Sequence, residues 1–331
     1  MEEKIDFVIT WVDESDPQWR KEFEYYSAKA SSIDNRICRY RNWKTLRYWF
    51  RGVERFAPWV NKIFFVTYGH YPEWLNIDNP KLVVVKHEDF IPTQYLPTFS
   101  SDVFEFYFHR INGLSNKFVY FNDDMFLIDD VSPERFFRNG IPCDIGGLSY
   151  NCSGTMFGSS VFLAVGLINQ SFRKKEVIRK NFPKWFNLKY PRYSIQNMLY
   201  YRHINFPGFL TNHLPQGYLK ETYDEVWKNC EDDLLRTSAN KFRTYGDIAP
   251  WLLRYWQLAS GKFIPYNIFK DGSYFTLLNE NIPSIVDCIL NQKKKLICLN
   301  DIPDKLDYEN NKKKILEAFN VILGDKSSFE L

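Results

Sequence analysis

The sequence lacks any apolar run long enough to span a bilayer, and its first residues, MEEKIDFVITWVD, do not read as a secretory signal. Cysteine is scarce, with six scattered residues and no C-x-x-C pair, which argues against a disulfide framework or zinc site and favours reduced thiols in the cytoplasm. The formal net charge is only +3 over 331 residues, so nucleic acid is not an expected partner. P-loop, G-x-S-x-G and H-E-x-x-H motifs are also missing, which excludes the simple forms of those chemistries.

Apolar and aromatic residues are plentiful, at 45% and 18% of the chain, and they form short runs separated by helical patterns. This alternation predicts an α/β fold with a mainly parallel sheet. Ligands bind outside the carboxyl ends of the strands in such sheets, and polar residues follow each predicted strand here. The predicted strands are Ile5–Val12, Lys62–Thr67, Leu82–Lys86 and Phe118–Phe121, and the predicted helices are Arg39–Phe56 and Ser101–Arg110.

The second half of the chain is less regular, and we expect one catalytic domain over residues 1–331. An α/β core is expected at 1–150, a mostly helical insertion at 151–210, and helices that complete the site at 211–331. The elements predicted in this half are a partly helical stretch at Ser171–Asn187, a loop at Phe206–Gln216, helices at Tyr218–Asp233, Ile248–Ser260 and Asn311–Leu323, and a strand at Lys295–Leu299.

The clearest chemical signal is the segment KFVYFNDDMFLIDD, residues 117–130, in which two adjacent acids follow an apolar run. An ionised carboxylate is costly to bury unless a positive charge meets it. Asp123 and Asp124 are therefore candidate ligands for a hard divalent cation, which prefers carboxylate oxygens and substrate phosphates. A polar strand end or a helix N-cap produces the same pattern, so these residues alone leave both interpretations open.

Two further groups are candidates for binding a nucleotide. Trp11 and Asp13 end the first predicted strand and could stack on and hydrogen-bond a nucleobase, although a core tryptophan before a turn is the simpler explanation. Arg41 and Arg47 lie on the predicted basic helix, where guanidinium groups could bind phosphate. A solvated helix face is the commoner meaning of such a charge pattern.

Histidines and arginines later in the chain offer proton transfer and charge neutralisation. His213, in the loop NHLPQ, is a candidate general base near neutral pH, and His109 with its neighbour Arg110 is a second candidate. Arg243 could clamp a transferring phosphoryl group, and Asp247 flanks the same glycine turn. Each has a structural alternative, since a lone histidine is more often structural and an arginine can form a surface ion pair.

Long segments of the chain also occur in a recognisable order: IDFVITWVDESDPQW, RYRNWKTLRYWFRGVERFAPWVNKIFFVTYGHYPEWL, LPTFSSDVFEFYFHRINGLSNKFVYFNDDMFL, NHLPQGYLKETYDEVW and FRTYGDIAPWLLRYWQLASG. Together they resemble the four regions of the Stealth family of hexose-1-phosphate transferases. Bacterial members of that family build phosphodiester-linked capsular or surface polysaccharides, and an animal relative is the GlcNAc-1-phosphotransferase that tags lysosomal enzymes. The resemblance covers the chain from Lys4 to about Lys262.

The resemblance implies a Rossmann-like, GT-A-related domain that takes a nucleotide-sugar, expected to be UDP-linked. It implies that sugar-1-phosphate moves onto a hydroxyl of an acceptor glycan and that UMP leaves. The implied cofactor is Mg²⁺ or Mn²⁺. One loop, Tyr68–His70, departs from the family pattern of Asp or Asn before the glycine and Gln after it, which leaves the donor sugar open.

The resemblance also carries over to individual positions. Asp123 and Asp124 match the family's Asn-Asp-Asp motif and would hold the metal, while Asp13 matches the acid of the first region. His213 and Arg243 match the later histidine and arginine. His213 is expected to accept the proton of the acceptor hydroxyl, with His109 as the alternative. Trp11, Asp13, Arg41, Arg47, Arg110 and Asp247 are the residues expected to bind the donor.

Two other classes of function stay open. A conventional GT-A glycosyltransferase would use the same donor but release UDP. A non-catalytic glycan-binding protein would use its aromatic residues as a platform and would need no metal. The basic patch Arg173–Lys175 with Arg179 and Lys180 could face anionic lipid at the inner face of the cell membrane or a charged polymer, and a solvated helix face explains it equally well. The oligomeric state is not predicted.

Overall fold

The protein is described from a computed structural model that covers residues 4–29, 42–151, 153–301 and 306–331. Strands and helices alternate through its first half. The strands are β1 (Ile5–Trp11), β2 (Ile63–Thr67), β3 (Leu82–Lys86), β4 (Lys117–Phe121), β5 (Met125–Leu127), β6 (Phe137–Arg138), β7 (Ile141–Asp144), β8 (Gln216–Leu219), β9 (Ile264–Pro265), β10 (Gly272–Thr276) and β11 (Leu296–Asn300). The α-helices are α1 (Pro17–Ser27), α2 (Leu46–Phe56), α3 (Ser101–Phe104), α4 (Met156–Ser171), α5 (Lys174–Lys180), α6 (Phe182–Trp185), α7 (Pro191–Tyr201), α8 (Lys220–Ser238), α9 (Trp251–Ala259), α10 (Ile282–Leu290) and α11 (Tyr308–Ile322).

The central sheet has the strand order β3–β2–β1–β4–β8. β1 to β4 are mutually parallel, and β8 runs antiparallel beside β4. The apolar runs of β1, β2 and β4 are buried on both faces, with Phe7, Val8 and Ile9 of β1 fully enclosed, whereas the edge strand β3 is partly open to solvent. The predicted α/β fold with a mainly parallel sheet is therefore confirmed. Because the chain visits β2 and β3 on one side of β1 and β4 on the other, the switch point, where ligands bind in such sheets, lies between β1 and β4.

Apolar side chains cover both faces of this sheet. On one face, Trp49 of α2 meets Phe121 of β4 edge to face, with ring centroids 5.5 Å apart. The other face packs Val8 and its neighbours against α4, α8 and α9. Helix α2 approaches so closely that a Cβ atom at Gly52 would lie 2.7 Å from the carbonyl oxygen of Leu127. Glycine at this position is therefore a packing requirement.

The chain leaves the central sheet directly after β4. Residues 122–124 turn into β5, which pairs antiparallel with β11, and β11 pairs in parallel with β10. The Leu299 amide donates a hydrogen bond of 2.8 Å to the carbonyl oxygen of Asp124. Asp123 and Asp124 therefore lie where two sheets meet. A third small sheet has the order β6–β7–β9.

All five helices predicted with defined bounds have other boundaries in the structure, and the one predicted at Ser101–Arg110 is α3 followed by a 3₁₀ helix at Glu105–Arg110. The helix predicted at Arg39–Phe56 begins at Leu46, after an uncapped Thr45, and residues 39–41 lie outside the described residues. The helix predicted at Tyr218–Asp233 begins at Lys220, because the residues before it pair with β4 as strand β8. Tertiary pairing overrides the local helical pattern there.

The region expected to be an insertion, residues 151–210, contains α4 to α7. The division of the catalytic domain into a core, an insertion and a completing part stays a prediction. No helix in the described part of the chain is long and apolar enough to cross a membrane.

A buried ion pair supports the segment that leads into β8. Arg254 of α9 donates from Nε and Nη2 to the two carboxylate oxygens of Asp144, at 2.7 and 2.8 Å. Its Nη1 donates to the carbonyl oxygen of Leu210 at 2.5 Å. Gln216, the first residue of β8, donates to the same Asp144 carboxylate at 3.2 Å. The pair therefore fixes both ends of the segment 210–216.

Candidate active site

A cavity of about 940 Å³ opens at the carboxyl edge of the central sheet, within the size range of small-molecule sites. Because β8 is antiparallel to β4, the segment before β8 reaches the same edge as the segment after β4. This topology brings together many of the residues predicted to form the site. Those that line the cavity are Trp11, Asp13, Asp123, Asp124, His213 and Arg243.

The two adjacent acids carry negative charge that the described residues do not neutralise fully. Desolvation at the cavity wall, and then the neighbouring Asp124 carboxylate, raise the pKa of Asp123, although its side chain is still open to solvent. Oδ1 of Asp124 is buried and has no hydrogen-bond partner among the described residues. Its Oδ2 accepts a hydrogen bond from the Cys298 thiol at 3.3 Å. A buried oxygen without a partner is costly, so this arrangement favours a bound cation.

His213 is held beside these acids with its Nε2 atom facing them. Nε2 lies 3.3 Å from Oδ2 of Asp124 and 3.3 Å from Nδ2 of Asn122. The Tyr120 hydroxyl donates to Oδ1 of Asn122 and so orients the amide. Burial alone would lower the pKa of His213, but the Asp124 carboxylate outweighs burial and raises it. The imidazole is therefore oriented toward the acids, and the Asp124 carboxylate favours its protonated form.

Arg243 lines the cavity from a fixed position. Its Nη2 lies 3.3 Å from Oδ1 of Asp102 and donates to the Ser101 hydroxyl. Glu105 is close by, and burial followed by the charge of Asp102 raises the pKa of Glu105 to about 8 despite the opposing charge of Arg243. A guanidinium group held by carboxyl groups at a cavity wall is suited to meet an anionic ligand.

Asp247 supports the Arg243 loop and does not line the cavity. Its carboxylate accepts from the Thr244 amide at 2.6 Å, from the Thr244 hydroxyl at 3.0 Å and from Asn240 Nδ2 at 2.6 Å. The side chain is therefore saturated by its own turn, which gives it a positioning role in place of the predicted contact with a donor.

The end of β1 is held by the loop in which the sequence departs from the family pattern. The Asp13 amide donates to Nε2 of His70 at 2.7 Å. Burial lowers the pKa of His70, outweighing the nearby acids that raise it, so the ring is neutral and accepts this bond. Trp11 meets the His70 ring edge on, with centroids 5.5 Å apart, and stacks on Phe65 at 5.8 Å. His70, where the sequence departs from the family pattern, therefore packs against the end of β1.

The structure does not bring His109 or Arg110 to the cavity. The His109 ring packs against Tyr223, with centroids 5.3 Å apart, and burial together with the charge of Arg110 lowers its pKa to about 4. The Arg110 guanidinium lies over the rings of Tyr107 and Trp227, at 5.0 and 5.2 Å. The 3₁₀ helix that carries both residues points them toward α8. Their positions therefore do not support the expected roles of His109 as a general base and Arg110 as a donor-binding residue.

The basic face of α2 is largely occupied by other parts of the chain. Arg47 is exposed and lies over the Trp74 ring at 5.1 Å, outside the cavity. Arg51 donates to both carboxylate oxygens of Glu330, at 2.7 and 2.8 Å. Arg41 lies outside the described residues. For the described part of α2, the solvated or structural interpretation is the one that fits.

Glu105 and Tyr120, which line the cavity, and Cys298, which contacts Asp124 without lining the cavity, were not singled out from the sequence. Cys298 is 174 residues from Asp124, and no motif spacing signals that β11 places its thiol there. Asp124, His213 and Cys298 each place one potential ligand atom within 4.8 Å of the other two. This group could hold a metal ion.

Two family models match the chain: conserved region 1 of the Stealth proteins over residues 3–31 and conserved region 2 over residues 39–143. The chain is 40% identical over 331 residues to the capsular polysaccharide phosphotransferase WcwK of Streptococcus pneumoniae, covering 99% of this chain and 98% of that protein. It is 40% identical over 338 residues to the receptor polysaccharide phosphotransferase WefC of Streptococcus gordonii, covering 100% of both. Among solved structures, the galactosyltransferase LgtC in complex with donor and acceptor sugar analogues matches at 11% identity and a TM-score of 0.38, covering 98% of both chains. The GT-A relation stays a prediction.

Proposed function

Because the chain belongs to the Stealth family, we propose that it is a cytoplasmic enzyme of polysaccharide synthesis that moves sugar-1-phosphate from a nucleotide-sugar to an acceptor glycan. The donor we propose is a UDP-sugar, and the leaving group is UMP. The observation that carries the proposal is the meeting of Asp123, Asp124, His213 and Arg243 at the switch point of the sheet. Phosphoryl transfer requires positioning and charge neutralisation more than covalent help, and these residue types supply both.

The proposed step forms one phosphorus–oxygen bond and breaks another. The acceptor hydroxyl oxygen attacks the phosphorus atom that carries the sugar. The bond from that phosphorus to the oxygen bridging the two phosphates breaks, and UMP leaves with this oxygen. The sugar–oxygen bond stays intact, so the product is a phosphodiester between the sugar and the acceptor.

His213 is the proposed recipient of the hydroxyl proton, at Nε2. The Oδ2 atom of Asp124, 3.3 Å away, stabilises the imidazolium that results, and Asn122 keeps the ring in place. Arg243 is proposed to bind the donor phosphates at the cavity wall. Trp11 and Asp13, at the end of β1, are proposed to contact the nucleoside.

The acids at the junction of the two sheets fit a hard divalent cation, Mg²⁺ or Mn²⁺. The unpartnered Oδ1 of Asp124 and the raised pKa of Asp123 both mark charge that a cation would neutralise. We propose Asp123 and Asp124 as its ligands, and when bound it would neutralise the donor diphosphate. Oδ2 of Asp124 faces His213, whereas Oδ1 has no hydrogen-bond partner among the described residues, so one carboxylate could serve both His213 and the cation.

The test uses donors labelled with ³²P in the phosphate next to the sugar. Purified protein is incubated with a panel of labelled nucleotide-sugars, Mg²⁺ and glycan acceptors, and the products are separated by chromatography. Phosphotransfer moves the label into the glycan and releases unlabelled UMP. Glycosyl transfer leaves the label in UDP, and that result would overturn the proposed reaction.

Matched variants connect the reaction to the site. Asp124→Asn and His213→Gln should each reduce label transfer by about 100-fold or more, the usual scale for a lost ligand or general base. Lys313→Gln, on the exposed face of α11, serves as the control and should transfer label at the wild-type rate. Full activity of Asp124→Asn at limiting Mg²⁺ would remove Asp124 from the proposed metal site.

A further inference from the structure

The helical region after α4 carries an apolar surface that the described part of the chain leaves uncovered. In α7 the polar side is turned inward: Asn197 is fully buried and bonds to the Leu148 amide at 2.7 Å and to the Gly146 carbonyl at 2.6 Å. Ile195, Met198 and Leu199, at i, i+3 and i+4, are instead 63%, 64% and 72% exposed. An amphipathic helix normally shows the opposite orientation, with its apolar stripe toward the core.

Neighbouring residues extend this stripe into a larger surface. Leu188 and Ile204, which flank α7, are 94% and 81% exposed. Phe182 of α6 stacks on Phe186 at 4.5 Å, and Phe186 meets Tyr201 of α7 at 6.4 Å, so the two helices are continuous at the surface. Exposed apolar groups in such a cluster mark an interaction site. The α6–α7 apolar surface consists of Phe182, Leu188, Ile195, Met198, Leu199 and Ile204.

The same region holds a strong local excess of positive charge. Residues 173–204 contain nine lysines and arginines and a single acid, Glu176, although the whole chain has a net charge of only +3. Lys174 and Lys184 turn inward and donate to backbone carbonyls at 2.7 and 2.6 Å. The cations that remain exposed are Arg173, Lys175, Arg179, Lys180, Lys189, Arg192 and Arg202. Arg192 and Arg202 lie at the two ends of the α7 stripe.

We propose that the α6–α7 apolar surface docks on the anionic face of a lipid bilayer. Exposed aliphatic and aromatic side chains bordered by lysine and arginine are what an interfacial helix needs, because the apolar groups enter the acyl boundary while the cations meet lipid phosphates. A symmetric contact between two copies of this surface would bring the two positive regions together, which disfavours self-association as its purpose. This docking is independent of the proposed transfer chemistry.

Vesicle flotation tests the docking with the full-length protein. Vesicles of phosphatidylcholine with phosphatidylglycerol should carry the protein upward, and vesicles of phosphatidylcholine alone should carry much less. The triple variant Ile195→Ser, Met198→Ser, Leu199→Ser should bind about tenfold less or weaker still, since it removes the groups that enter the acyl boundary. Lys175→Gln with Arg179→Gln should reduce partitioning by about 25-fold, since each cation near an anionic surface contributes about fivefold.

A matched control uses exposed apolar residues elsewhere on the chain. The variant Ile77→Ser, Leu290→Ser, Val321→Ser should float like the wild type, because these side chains are also exposed but lie outside the surface. Failure of the wild type to bind phosphatidylglycerol vesicles at low ionic strength would overturn the proposal, as would equal binding by the Ile195 triple variant. A wild-type dimer in sedimentation velocity that becomes monomeric in this variant would identify the surface as a contact between copies, which would also overturn it.

Discussion

Replacing Arg254 should destabilise the protein strongly, because it leaves a buried carboxylate without its charge partner. Arg254 makes three hydrogen bonds, two to Asp144 and one to the Leu210 carbonyl, and both charged side chains are almost fully enclosed. Among the described residues, Asp144 would keep two neutral donors, the Ile145 amide and the Gln216 side chain. We expect Arg254→Leu to lower the free energy of unfolding by about 3–5 kcal/mol, measured by urea denaturation followed by circular dichroism.

A double-mutant cycle separates the charge from the packing. Asp144→Leu should lower the free energy of unfolding by a similar amount, because the buried Arg254 would then keep one hydrogen-bond acceptor in the described part of the chain, the Leu210 carbonyl. The double variant should be far less destabilised than the sum, with a coupling energy of at least about 2 kcal/mol, since no buried charge remains. Glu317→Gln, which breaks an exposed pair with Lys313, is the control and should change stability by less than about 0.5 kcal/mol. If the losses in the free energy of unfolding of the two single variants simply add up in the double variant, this reasoning is refuted.

Three further predictions concern the site and the packing beneath it. Asp124→Asn should lower the pKa of His213, because it removes the carboxylate that raises it; a titration of the imidazole proton resonances in metal-free protein would contradict this if the pKa stayed or rose. His213→Ala should lower turnover by about 100-fold with little change in the KM for the donor, and a near-normal rate would assign the proton to another group. Gly52→Ala should lower the free energy of unfolding by about 1–3 kcal/mol through its clash with Leu127, whereas Gly166→Ala, which faces open space in α4, should raise it by up to about 1 kcal/mol; equal melting shifts would contradict the packing argument.

The parallel part of the sheet could be predicted because its strands are unbroken apolar runs. β1 and β4 are buried on both faces. Because the two strands are parallel, their carboxyl ends lie at the same edge of the sheet, and the acids that follow them come together there. β8 could not be predicted in this way. Its sequence QGYL is four residues long and merges into a helical pattern, so only the pairing with β4 makes it a strand.

Site residues could be predicted where they follow an apolar strand or lie in a segment that resembles the family. Asp123 and Asp124 follow a strand, and His213 and Arg243 occur in segments that resemble the family. Glu105, by contrast, lies four residues before His109 on the same short helical stretch, and the sequence does not say which side of it faces the cavity. Packing of His109 against α8 orients the stretch, so that Glu105 faces the cavity and His109 does not.

The pairing of β5 with β11 also sets the order in which the enzyme can become competent during its synthesis. A nascent chain that has folded β1 to β4 already holds Asp124, yet Cys298 and the Leu299 amide that contact it are made 174 and 175 positions later. Asp123 and Asp124 are therefore synthesised long before the strand that completes their surroundings. Donor consumption should therefore begin only after β11 has emerged, and chains released before that strand should hydrolyse or transfer nothing.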